Sequence, residues 1–109
     1  ITSSNGQKVD TNFVATNLNG AEPVYFIDIY PNPFKDQVLV NMALTKDSKV
    51  VITAFDILGR AFILYEAKES KGKLNIPLSF DNSMMPAGTY LLKINVNDNV
   101  YQKKIIKSN

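Results

Sequence analysis

Along residues 73–80 the side chains alternate, with Leu74, Ile76, Leu78 and Phe80 on one face and Lys73, Asn75, Pro77 and Ser79 on the other. Residues 89–96 repeat the pattern: Tyr90, Leu92, Ile94 and Val96 oppose Thr89, Leu91, Lys93 and Asn95. A period of two gives a strand one dry face and one wet face, as in an antiparallel sheet. Val50-Val-Ile-Thr-Ala-Phe55 is apolar on both faces and predicts a central strand. The runs that can be marked are Val24–Tyr30, Gln37–Leu44, Lys49–Ile57, Arg60–Ala67, Lys73–Phe80, Thr89–Val96 and Val100–Lys107. Short runs at this spacing, separated by turn residues, predict an all-β sandwich or barrel.

The breaks carry their own chemistry. Neither Pro31 nor Pro33 has an N–H to donate, so Pro31-Asn32-Pro33 ends the first run. Folding alone explains it as a kink that moves the chain from one sheet to the next. Asp56-Ile-Leu-Gly59 predicts a tight hairpin in which Asp56 bonds the following backbone and Gly59 takes a positive φ. Arg60 then pairs with a carboxylate or contacts a partner. Pro86-Ala-Gly88 punctuates the entry to the sixth run, where Gly88 permits a turn or bulge. Tyr90 falls on the apolar face, so a packed ring with its hydroxyl bonded at the rim is expected. Pro77 places the fifth run at an edge or near a strand end. Asp81–Met85 suits one short turn, and no longer helix is expected.

Two packed antiparallel sheets follow, a seven-stranded immunoglobulin- or fibronectin-like sandwich over residues 24–109. Residues 1–23 are rich in Asn, Ser, Thr and Gly, the composition of a linker. Within them Phe13-Val14-Ala15 suits a short extra strand or hook.

Composition narrows function by exclusion. The chain has neither Cys nor His, which removes disulfides, Cys/His metal sites and imidazole or thiolate catalysis. A net charge of +2 is too small to argue for nucleic acid, and basic and aromatic residues do not interleave as on a base-stacking platform. No apolar run is long enough to span a bilayer. The ten acids are scattered, mostly beside turns, and their spacing supports neither a paired-carboxylate site nor a Ser–Lys dyad. Asn95-Val-Asn-Asp-Asn99 lacks the acids and closing Glu of a Ca²⁺ loop and reads as a solvated hairpin. No enzymatic activity, cofactor or metal is expected.

What stands out is the tail. Lys103, Lys104 and Lys107 are interleaved with Ile105 and Ile106, with no acid among them. Lysines on one face of an edge strand deter edge-to-edge aggregation. That explains Lys103 and Lys107 better than Lys104 on the opposite face. A basic, partly apolar strand also suits a receptor that adds a strand or offers acidic pockets.

Four blocks, in order, resemble the C-terminal sorting domain of the Type IX (Por) secretion system of Bacteroidetes. They are Tyr30-Pro-Asn-Pro-Phe34 with Asp36 and Val38-Leu-Val40, then Val50–Arg60, then Met85-Pro-Ala-Gly-Thr-Tyr-Leu-Leu-Lys-Ile94, then Lys103-Lys-Ile-Ile-Lys107. The resemblance implies a non-catalytic sandwich that follows an exported cargo domain. It directs that cargo from the periplasm through the translocon across the outer membrane, to the cell surface or the medium. A cell-surface signal peptidase then typically removes it. The resemblance also implies a cut just before the first strand, among Asn17, Leu18, Asn19, Gly20, Ala21, Glu22 and Pro23. Lys103, Lys104, Ile105, Ile106 and Lys107 are the expected address. Pro31, Asn32, Pro33, Asp56, Gly59, Arg60, Gly88 and Tyr90 are expected to be scaffold. The chain, which starts at Ile1, reads as a cut or processed part of a longer protein.

The competing reading is an accessory carbohydrate- or protein-binding sandwich of a surface enzyme. It is weakened by the absence of Trp and by Tyr and Phe falling mostly within the strand runs. A structural spacer is a third. An exposed edge and an N-terminal arm also allow a strand-exchanged homodimer.

Overall fold

The computed structural model describes residues 14–16, 23–81 and 83–109. Its strands are β1 (Val14–Thr16), β2 (Val24–Tyr30), β3 (Gln37–Leu44), β4 (Ser48–Phe55), β5 (Ala61–Glu69), β6 (Gly72–Ser79), β7 (Gly88–Val96) and β8 (Asn99–Lys107). They form a five-stranded sheet in the order β1-β8-β7-β4-β5 and a three-stranded sheet in the order β2-β3-β6. All strand pairs are antiparallel. Seven strands match the seven runs expected from the pattern, and the fold class is the expected all-β sandwich. The extra strand β1 lies within the polar leader and pairs with β8, Ala15 opposite Tyr101. Phe13, the other part of that expected hook, lies outside the described residues.

The core sits between the sheets. Val38, Val40, Met42 and Leu44 of β3, with Ile76 and Leu78 of β6, face Val50, Ile52 and Ala54 of β4 and Tyr90, Leu92, Ile94 and Val96 of β7. Each set repeats with period two, so the core follows directly from the alternation. β4 has a neighbour on each side, as its two apolar faces suggested. Its outer residues Val51, Thr53 and Phe55 are half-buried. β6 is an edge strand, which is where a residue without an N–H, Pro77, is tolerated. Residues 83–85 form the short turn expected near there.

One expectation is corrected. The Pro31-Asn32-Pro33 segment does not carry the chain from sheet to sheet. Tyr30 at the end of β2 pairs with Leu39 of β3, so both strands belong to the three-stranded sheet. The Tyr30–Pro31 and Asn32–Pro33 peptide bonds are cis. The segment stays in a hairpin connection and reaches across to the other sheet, because its polar groups find partners on β8.

Candidate functional site

Asn32 sits beside the outer edge of β8. Its Oδ1 accepts the Ile106 N–H at 3.0 Å, and its Nδ2 donates to the Lys104 carbonyl at 3.4 Å. A side-chain amide carries one acceptor and two donors, so it can pair with a strand edge much as backbone does. The backbone then takes over: Phe34 N–H donates to the Ile106 carbonyl at 2.9 Å, and Ser108 N–H donates to the Phe34 carbonyl at 2.7 Å. Phe34 and Lys107 form a parallel bridge. The Phe34 ring drops into the core, 1% exposed, 4.7 Å from the Phe80 ring, which meets Tyr90 edge-on at 5.4 Å. β8 is therefore not a bare edge. β1 covers Val100–Gln102 and the proline segment covers the stretch from Lys104 to Ser108.

The expected address residues divide by face. Ile105 is fully buried, and Lys103, between Tyr101 and Ile105 on the inner row, is 6% exposed. Lys107 is also engaged: its Nζ donates to the carbonyls of Phe80 at 2.5 Å and Met85 at 2.7 Å. It thereby pairs two backbone acceptors where β6 gives way to the turn before β7. Lys104 and Ile106 point away from the core and are exposed. Opposite them on β7 lie Leu91, also exposed, and Thr89. Lys93 follows on the same face, with its ammonium 5.9 Å from the Phe55 ring centroid. Among the described residues, no carboxylate pairs with Lys93 or Lys104.

The 56–60 turn closes the same end of the sheet. Asp56 Oδ1 accepts the N–H groups of Leu58 and Arg60, both at 2.9 Å, and Oδ2 pairs with Arg60 Nε at 2.6 Å. Gly59 takes φ +85°, as the turn requires. Burial pulls the Asp56 carboxyl upward, but the hydrogen bonds from Arg60 and Leu58 outweigh it and hold the group below its ordinary range. Arg60 thus pairs with a carboxylate, one of its two expected roles. Ile57 and Leu58, between these anchors, are 83% and 76% exposed. Tyr90 donates to the Pro86 carbonyl at 2.5 Å, and burial pushes its hydroxyl pKa up. Gly88, at φ +151°, starts β7 beside it. Asp56, Ile57, Leu58 and Arg60 together with residues 86–90 line an apolar cleft of about 220 Å³.

The structure thus brings one part of each motif block, Asn32–Phe34, Asp56–Arg60, Pro86–Tyr90 and Lys104–Lys107, to one end of the sandwich. Of the expected cleavage window, residues 17–22 lie outside the described residues. Pro23 is buried, and its carbonyl accepts the Thr45 N–H at 2.9 Å. Sequence reasoning missed the bonding of Asn32 and Phe34 to β8, and it missed the exposure of Ile57 and Leu58. The second had a visible signal, since a residue between Asp56 and Gly59 in a tight turn points into solvent. Among the described residues, no cluster of His, Cys, Asp or Glu could hold a metal ion, and no helix is long and apolar enough to cross a membrane.

No curated protein and no solved structure matches the chain. A family model for the secretion system C-terminal sorting domain matches residues 28–108, from β2 to just past β8. Its span takes in all four motif blocks, the end of β2 and all of β3 to β8, so the chain belongs to the family of secretion system C-terminal sorting domains.

Proposed function

We propose that this domain is the folded address by which a Type IX translocon takes an N-terminal cargo domain from the periplasm across the outer membrane. The domain performs no chemistry itself. The observation that carries this reading is the division of β8. Lys103, Ile105 and Lys107 are turned inward or bonded, so the fold accounts for them. Lys104 and Ile106 are left outward on a strand held from both sides, and they are the pair a receptor reads. Holding them rigid lowers the ordering cost at binding.

A cell-surface signal peptidase then cuts ahead of Pro23, within Asn17–Glu22, and leaves the cargo at the surface or released. A protease needs extended, accessible backbone. Pro23 is buried and its carbonyl is bonded to Thr45, so the sheet begins there. Such a cut leaves β1 on the cargo side.

The test is a fluorescent cargo fused ahead of the domain in a bacterium that carries the system. Lys104→Ser with Ile106→Ser is expected to strand cargo in the periplasm. Normal export of that variant would sink the assignment.

A further inference from the structure

The Asp56–Arg60 turn is locked, yet it holds two large aliphatic side chains in water. A tight turn needs only Asp56 and Gly59; nothing in its hydrogen bonding calls for Ile57 and Leu58. They stand at the rim of the apolar cleft, whose other wall is held by the Tyr90–Pro86 hydrogen bond. A cavity of about 150 Å³ is enough for a benzene-sized ring. At about 220 Å³ this cleft has room for one large side chain.

The cleft meets the neighbour of the outward pair on β8 at one residue, Thr89. Thr89, which lines it, lies opposite Ile106, and Leu91 lies opposite Lys104. Ile57 and Leu58 are exposed at the cleft, and Leu91 and Ile106 are exposed on the outer face of the same sheet, which they share with Lys93 and Lys104. Isolated surface aliphatics need no explanation, but a patch presented on locked backbone marks an interaction site.

We propose that this end of the five-stranded sheet is one composite docking surface. Its partner is a protein that inserts an apolar side chain between the Ile57–Leu58 turn and the Pro86–Tyr90 segment, flanked by carboxylates that meet Lys93 and Lys104. The proposal rests on the sorting reading and extends it from the last strand to a turn nearly fifty residues earlier. Charge sets the partner's chemistry: both lysines are free of carboxylate partners among the described residues. The concave cleft favours a protein over a bilayer, because fluid lipid offers no fixed projection to fill it.

The test uses the cargo fusion with Ile57→Ser and Leu58→Ser together, and separately with Lys93→Glu. Both variants should stay folded, because Ile57 and Leu58 are exposed and Lys93 gives up only a long contact with the Phe55 ring. Export should fall about tenfold or more in each, as for central anchors of an interface. If Lys104→Ser with Ile106→Ser blocks export while the Ile57/Leu58 variant exports normally, the sorting reading stands and the composite surface falls. If all variants export normally, both fall. Normal export of Lys93→Glu alone overturns the acidic partner. Two further results overturn the proposal: phosphatidylglycerol vesicles that bind the domain through Ile57 and Leu58, or a dimer in sedimentation that the double variant abolishes.

Discussion

The two faces of β8 carry similar residue types and do different things. On the inner face, Ile105 fills the core, Lys103 is buried between Tyr101 and Ile105, and Lys107 bonds two carbonyls. On the outer face, Lys104 and Ile106 contribute their backbone to the structure and their side chains to the surface. A lysine at one position is scaffold and at the next is available for recognition. The sign of the charge does not separate them; the two-residue period of the strand does.

The contrast breaks most visibly at Ile105. Ile105→Ala should cost about 2–5 kcal/mol, the range for a buried aliphatic truncated in a packed core, read by urea denaturation. A loss well under this range would mean that β8 is loosely docked. Asn32→Ala removes two hydrogen bonds to the edge of β8 and should cost about 1–3 kcal/mol at roughly 0.5–1.5 kcal/mol each. Hydrogen exchange sharpens the point, because the Ile106 amide should lose protection while the Ile52 amide keeps it. Lys107→Met keeps the apolar stem and leaves the Phe80 and Met85 carbonyls to water, for about 1 kcal/mol. The smallest effect belongs to the outer face. Lys104→Ser with Ile106→Ser should change stability by no more than about 0.5 kcal/mol per residue. A larger loss would erase the distinction between the faces.

Local chemistry was the legible part of the sequence. The alternation at 73–80 and 89–96 specified which side chains enter the core, and Asp56 with Gly59 specified a turn that the structure contains. Each of these signals is contained within a few consecutive residues. The seal on β8 is different in kind. Asn32 meets Lys104 and Ile106 across separations of 72 and 74 residues, and Lys107 reaches Phe80 across 27. Periodicity gives a strand's faces but not its neighbours, so the order β1-β8-β7-β4-β5 was unreadable. That is why Pro31-Asn32-Pro33 suggested a crossover between sheets when it is a clasp. It is also why the tail looked uniform: a basic cluster in sequence does not reveal which of its lysines the fold has already engaged.

The clasp joins the beginning of the domain to its end. Without Lys104–Ser108, Asn32 and the Phe34 backbone have no strand edge to bind. Loss of the final strand also removes Lys104 and Ile106 from the outer face of the sheet. A product of interrupted synthesis therefore carries most of the domain's residues but not its finished surface. The finished surface therefore depends on the first connection and the last strand of the domain being present together.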